Sequence, residues 1–254
     1  MLAVLSPAKK LDFSPVSEDI VQSWPEFQDD AVKLCRAANR LSLTALRGLM
    51  SISDDLAKLN KARFKAFTES LDASNSKQAM FAFAGDTYIG LQAASFDARD
   101  RDWAQDHLRI LSGLYGLLRP HDRIQPYRLE MGSRLKTRKG ATLYAYWGDR
   151  LAQALDAASG GNPVVNLASM EYFKAACEPK MQSPVVHVDF REERNGELKM
   201  IGFFAKRARG TMARFMIRER VDTIEGLKDF NLDGYRFRAD LSEEARLVFS
   251  RTAS

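Results

Sequence analysis

The 254-residue sequence predicts an α+β protein, a single domain in which a mixed β-sheet is flanked by helices. Three observations carry that expectation. Short apolar runs at 2–5, 80–83 and 164–167, each followed by turn residues or a new segment, read as buried strands. Stretches of helical periodicity lie between them. Asn195-Gly196, set between apolar segments at 184–191 and 197–205, marks a tight hairpin, so parallel and antiparallel pairing are both expected. No linker or internal repeat divides the chain, which makes 1–254 one domain.

In chain order, the run 2–5 ends in Ser6-Pro7-Ala8-Lys9. Pro7 cannot continue a central ladder, so a strand and then a turn are expected, with Lys9 just beyond the strand end. Over 27–67, Val32, Leu34, Leu41, Leu46 and Leu49 recur at helical spacings, and Ser42 and Ser53 are good N-caps, which predicts several short helices. Within them, 46–59 reads either as plain packed helices or as two helices joined by a tight turn at Ser51-Ile52-Ser53, without the glycine such hairpins usually carry. The run 80–83 is expected as a strand leading into Gly85-Asp86-Thr87-Tyr88-Ile89-Gly90, a turn that presents polar groups at a sheet edge. A charged helix should cover 97–107, while 108–111 is ambiguous. A helix over 143–158 closes at Gly160-Gly161-Asn162-Pro163, and a strand at 164–167 leads into a further helix capped by Ser169.

Charge is concentrated. Between 203 and 220, Lys206, Arg207, Arg209, Arg214, Arg218 and Arg220 stand against Glu219, six minus one, which equals the +5 of the whole chain. At about 100° per residue, Arg207, Arg214 and Arg218 fall within roughly 40° of one another, with Met212 and Phe215 on a different stripe. An amphipathic helix with an outward arginine row is the expectation, and the planar guanidinium fork suits phosphate oxygens. Residues 119–139 hold a second basic region, seven bases against Asp122 and Glu130, with Tyr115, Tyr127, Tyr144, Tyr146 and Trp147 near it in sequence. Rings beside a basic groove are either core or stacking platforms for unpaired bases.

Other classes recede. The apolar runs fall far short of the ~20 residues of a membrane helix. The positive charge of MLAVLSPAKK follows its apolar stretch, the reverse of a secretory signal, so a cytoplasmic protein with no membrane partner is expected. Cys35 and Cys177 lie far apart in no CxxC spacing and fit reduced thiols outside any evident redox setting. His107, His121 and His187 are scattered, so neither a metal site nor a cofactor is expected.

Several strings occur together: SPAK at 6–9, GDTYIGL at 85–91, LSGLYGLLRPHDRIQPYRLEMG at 111–132, YWGD at 146–149, VNLASMEYFK at 165–174 and FFAKRARGTMARF at 203–215. They resemble the YaaA-type peroxide-stress-resistance family of cytoplasmic bacterial proteins, over 1–251. The resemblance implies a role in surviving hydrogen peroxide and an association with DNA, in part through a helix-hairpin-helix-like element at 46–59. Ser51 and Ser53 would then lie against the phosphate backbone, where amides at a helix start hold anions. No established reaction is implied.

The first expectation is therefore a sequence-tolerant protein for duplex, distorted or single-stranded DNA, with no protein partner inferred. Lys206, Arg207, Arg209, Arg214 and Arg218 are its phosphate contacts, Lys9 and Arg128 supporting charges, and Gly210 a point of close backbone approach. An alternative is an enzyme acting on a nucleobase, nucleotide or damaged DNA site, because polar residues gather at expected strand ends. There Asp86 would activate water, Asn166 read a base edge, and Lys9 or Lys206 stabilise developing negative charge. The same Asp86 and Asn166 also read as a helix cap and a partner for buried backbone. Because ferrous iron and peroxide together damage DNA, an iron-handling protein is the third reading.

Overall fold

Leu2–Leu5 forms β1, and its four consecutive apolar residues are all buried, as a strand covered on both faces requires. The computed structural model describes residues 1–16, 21–176 and 178–252, residue 178 through its backbone alone. After β1 come helices α1 (Gln28–Asn39), α2 (Leu43–Met50) and α3 (Asp54–Ala66), strand β2 (Lys77–Gln78), helices α4 (Ala79–Ala82), α5 (Asp86–Leu91) and α6 (Ala98–His107), and strands β3 (Leu108–Ser112), β4 (Gly116–Leu118) and β5 (Arg123–Ile124). There follow α7 (Leu143–Trp147), α8 (Arg150–Ser159), β6 (Val164–Asn166), α9 (Met170–Phe173), β7 (Val185–Arg194), β8 (Glu197–Lys199), α10 (Gly202–Glu219), α11 (Ile224–Leu227), β9 (Arg236–Phe237) and β10 (Arg246–Thr252).

The sheet has eight strands in the order β4-β3-β1-β6-β7-β10-β9, with β8 alongside β7. Its inner five strands are parallel, Ala3 of β1 lying opposite Leu108 on one side and Val165 on the other. β4, β8 and β9 are antiparallel to their neighbours. The mixed sheet and the α+β class match the expectation. The chain leaves β1 for β3 on one side and returns with β6 on the other. That reversal of strand order opens a crevice at the carboxyl ends of β1 and β6, where α/β sheets place their sites.

Four expected elements are corrected. The turn expected at 85–90 is helix α5 from Asp86 onward. Residues 80–83 are not a strand: the apolar run is the helical turn α4, held by Ala79 and Met80 N–H groups donating to the carbonyls of Asp122 and Pro120. A four-residue apolar run carries no period that separates the two. The helix expected over 143–158 breaks into α7 and α8 at Gly148, whose φ of +53° and ψ of −133° suit only glycine. The second arm of the hairpin ends at Lys199, and α10 claims 202–205. Residues 108–111 belong to β3, one of the five parallel inner strands.

α10 lies on the sheet through buried Ala208, Met212 and Met216, with Phe215 edge-on to Phe230 at 5.5 Å. It crosses α5 at two glycines. A Cβ on Gly210 would stand 1.7 Å from the Thr87 carbonyl oxygen, and one on Gly90 2.1 Å from that of Arg207.

Candidate functional site

Ser6, following β1, and Ser169, following β6, meet across the crevice: Ser6 Oγ accepts from the Ser169 N–H at 2.8 Å. Tyr88 of α5 donates its hydroxyl to the Ser6 carbonyl at 3.1 Å, and burial raises its pKa well above the usual phenol value. Around this tie lies a cleft of about 730 Å³. Its basic residues are Lys9, Lys10, Lys206 and Arg209, and its acidic ones Asp12, Asp86, Glu130 and Glu171. Residues two hundred positions apart are thus brought to one site by the parallel sheet and the α5–α10 crossing.

Of the three candidate catalytic residues, Lys9 and Asp86 line this cleft and Asn166 does not. Lys9 is exposed, its Nζ 3.7 Å from Glu130 Oε1. Asp86 is the first residue of α5. Asn166 is buried, with Oδ1 accepting from the Ala168 N–H at 2.8 Å and Nδ2 donating to His187 Nδ1 at 2.9 Å. Those bonds turn it to structural use.

The basic candidates separate. Arg128 donates through Nε to Glu130 Oε1 at 2.9 Å and is mostly buried, so its charge is neutralised inside the protein. On α10, Lys206, Arg207 and Arg218 are exposed, whereas Arg209 and Arg214 are half-buried. Burial lowers the pKa of Arg214, and Arg218 and Arg207 beside it add to that, with Asp233 opposing. Arg218 also donates to the Ser95 carbonyl at 3.0 Å. Among the described residues none of these five cations forms an ion pair, whereas Arg220, at the end of the helix, pairs with Asp100 at 2.9 Å. Gly210 is buried against Thr87 and faces α5. Its lack of a side chain serves helix packing.

The hairpin at 46–59 exists as α2 and α3. Ser51 takes the left-handed conformation, φ +51°, that glycine usually fills, and Ser53 caps α3 by accepting from the Leu56 N–H at 3.4 Å. Asp54 and Asp55 occupy the first turn of α3, placing negative charge where a phosphate would approach. The second basic region divides: Arg134, Lys136 and Arg138 are exposed and form no ion pair among the described residues, whereas the other bases have partners. Arg119 pairs with Asp122, Lys139 with Asp30, and Arg123 donates to Gln22, Ser76 and the Asp72 carbonyl. Of the rings near it, Tyr115, Tyr127, Tyr146 and Trp147 are core, and Tyr144 donates to the Glu171 carbonyl at 2.8 Å. Of the two readings of these rings, core or platform, the four take the first.

Glu130, Glu171 and Lys10 were not singled out as site residues by sequence reasoning. The one signal for Glu130 is that it interrupts a run of bases. No three or more His, Cys, Asp and Glu converge as a metal site among the described residues.

The family model described as peroxide stress protein YaaA matches residues 1–241. The chain belongs to the YaaA peroxide-stress family. UPF0246 proteins of Ruegeria pomeroyi and Caulobacter vibrioides are each 50% identical to it over 254 residues, with 99% of this chain and 98% or 99% of the relative covered. One from Jannaschia sp. is 53% identical over 255 residues, covering 99% of this chain and 97% of its own. Membership in the YaaA family supports a role in peroxide stress. No helix among the described residues is long and apolar enough to cross a membrane.

Proposed function

We propose that this YaaA-family protein serves peroxide resistance by binding DNA with little sequence preference, through α10. One observation carries the reading: Lys206, Arg207, Arg209, Arg214 and Arg218 share one helix and none has a carboxylate in ion-pair contact among the described residues. Elsewhere in the fold Arg128, Arg150 and Arg251 have carboxylate partners, while Arg134 and Arg138, exposed and far apart from α10 in sequence, have none among the described residues. Arg207, Arg214 and Arg218 repel one another, with Asp233 offsetting part of this at Arg214, and a phosphate backbone relieves that repulsion while releasing counterions. The hairpin is left out of the phosphate contacts because Ser53 Oγ is engaged with Leu56 and the helix start is acidic.

Binding of the purified protein to duplex, bubble-containing and single-stranded DNA across a salt series tests this. With three to five phosphates neutralised, log affinity should fall with a slope of roughly −3 to −5 against log salt on duplex. The double variant Arg207→Glu, Arg214→Glu should abolish that binding at moderate salt with its thermal melting unchanged. A flat salt response, or an unaffected variant, rejects the reading. The enzymatic alternative ranks second, because the cleft keeps Lys9 and Asp86 together but excludes Asn166.

A further inference from the structure

The cleft at the ends of β1 and β6 holds an imbalance that its own side chains do not resolve. Glu130 Oε2 and Arg209 Nε are both buried and both without a hydrogen-bond partner, and both residues line it. Glu130 Oε1 is engaged by Arg128, so one oxygen of that carboxylate is left as a bare acceptor. Arg209 forms no hydrogen bond or ion pair among the described residues. A buried donor or acceptor left unmade costs about 1–3 kcal/mol, and more when charged. Such groups in a native fold call for an explanation. Here an acceptor and a cationic donor, contributed by different elements, belong to residues that line one cavity.

The rest of the lining narrows the ligand. Four bases are matched by four acids, so a bare polyanion is not the complement of this cavity. The occupant must donate to a carboxylate and accept from a guanidinium. Lys206, one helical turn before Arg209, adds a second cation on the same side. Phe81, Phe83, Tyr88 and Tyr172 supply apolar wall for a flat ring. The volume of about 730 Å³ lies in the range of small-molecule sites and exceeds what a single amino-acid zwitterion would fill.

We propose that this cleft binds one nucleotide unit, with a base N–H donating to Glu130 Oε2 and the phosphate held by Arg209 and Lys206. The unit comes either from a free mononucleotide or from an unpaired position in DNA, and only the second source rests on the DNA-binding reading. The contacts on α10 divide accordingly, Arg207 and Arg214 serving the duplex backbone and Arg209 the cleft.

Calorimetric titration of the full chain with AMP, ribose 5-phosphate, inorganic phosphate and glutamine tests the first source. Binding to a duplex with one unpaired adenosine, against the fully paired duplex, tests the second. AMP should bind at least tenfold more tightly than ribose 5-phosphate, or the unpaired adenosine should raise DNA affinity by a similar factor. Glu130→Gln and Arg209→Met should each remove that preference, while Arg207→Glu, Arg214→Glu leaves AMP binding intact. Because the two orphaned groups are held for a ligand, Arg209→Met should keep or raise the melting temperature of the free protein, which a structural arginine would not do. Equal affinity for AMP and phosphate, tighter binding of glutamine, or no preference with either source overturns the proposal. Loss of duplex binding with AMP binding retained removes only the DNA reading.

Discussion

Cys35 is buried and donates weakly to the Phe64 carbonyl, its Sγ 3.4 Å from that oxygen. Burial pushes its thiol up to about 12. The thiolate is the form that reacts with alkylating agents and peroxide, so Cys35 should stay unmodified by iodoacetamide or hydrogen peroxide at pH 7.5 and react fully once the chain is denatured, as mass spectrometry would show. Cys177, the other thiol, lies outside the described residues. His121 is a second residue whose state is set by burial: neither ring nitrogen has a partner, and burial lowers its pKa, with Arg101 and Arg119 adding to this and Asp102 and Asp122 opposing. The unfolded chain then takes up a proton as pH falls through the ordinary histidine range while the folded one does not. Stability should therefore decline on acidification below about pH 6.5, by at most about 1.4 kcal/mol per pH unit from this group. Urea unfolding midpoints between pH 7.5 and 5 should fall less steeply in His121→Gln.

Among the elements, the α5–α10 crossing is the one on which the site most depends. It sets Asp86 and Tyr88 beside Lys206 and Arg209, and it exists because Gly90 and Gly210 let two helix backbones touch. The atoms a Cβ on Gly210 would strike belong to backbone and cannot rotate away. Gly210→Ala should cost at least about 1–3 kcal/mol in denaturant unfolding, with the cleft distorted alongside. Loss of DNA binding in such a variant would report on packing, not on phosphate contact. In the sequence, Gly210 stands among arginines and invites a ligand-facing reading; only the partner helix shows otherwise. α4 teaches the same lesson, since its four apolar residues have no period and take helical form from the hydrogen bonds that the 120–122 loop accepts.

At the scale of the whole molecule, Asp30 of α1 ties together distant parts of the chain. It accepts from Tyr146 Oη at 2.6 Å and from Arg150 at 2.9 Å, and lies 3.5 Å from Lys139. Burial alone would raise its pKa, but these partners outweigh it and hold the carboxyl below the usual value. The stability this adds is present above the ordinary aspartate range and is lost as pH falls through the lowered pKa. Asp30→Asn should thus destabilise by about 1.5–3 kcal/mol at pH 7, a difference that narrows in chemical denaturation as pH falls through that lowered pKa. The salt-steep DNA affinity expected of α10 also belongs to this scale, because it depends on a charge excess that the rest of the molecule leaves uncompensated.

The local letters determined β1, β6 and β7, the hairpin turn, α10 and the concentration of charge along it. Each depends on signals carried within a few residues: apolar runs, Asn195-Gly196, helical spacing and the count of arginines. Family membership, too, was legible in strings spread along the chain. Which polar residues meet was not, because parallel strands pair through long crossover connections and carry no record of their neighbours in the local sequence. Only the folded sheet joins Ser6 to Ser169 and brings Lys9 to Glu130 in the cleft that Arg209 lines, while it sends Asn166 to His187 and turns four rings into core. Tertiary structure decided those partners because burial leaves a polar group no choice but to find whatever the fold brings within reach.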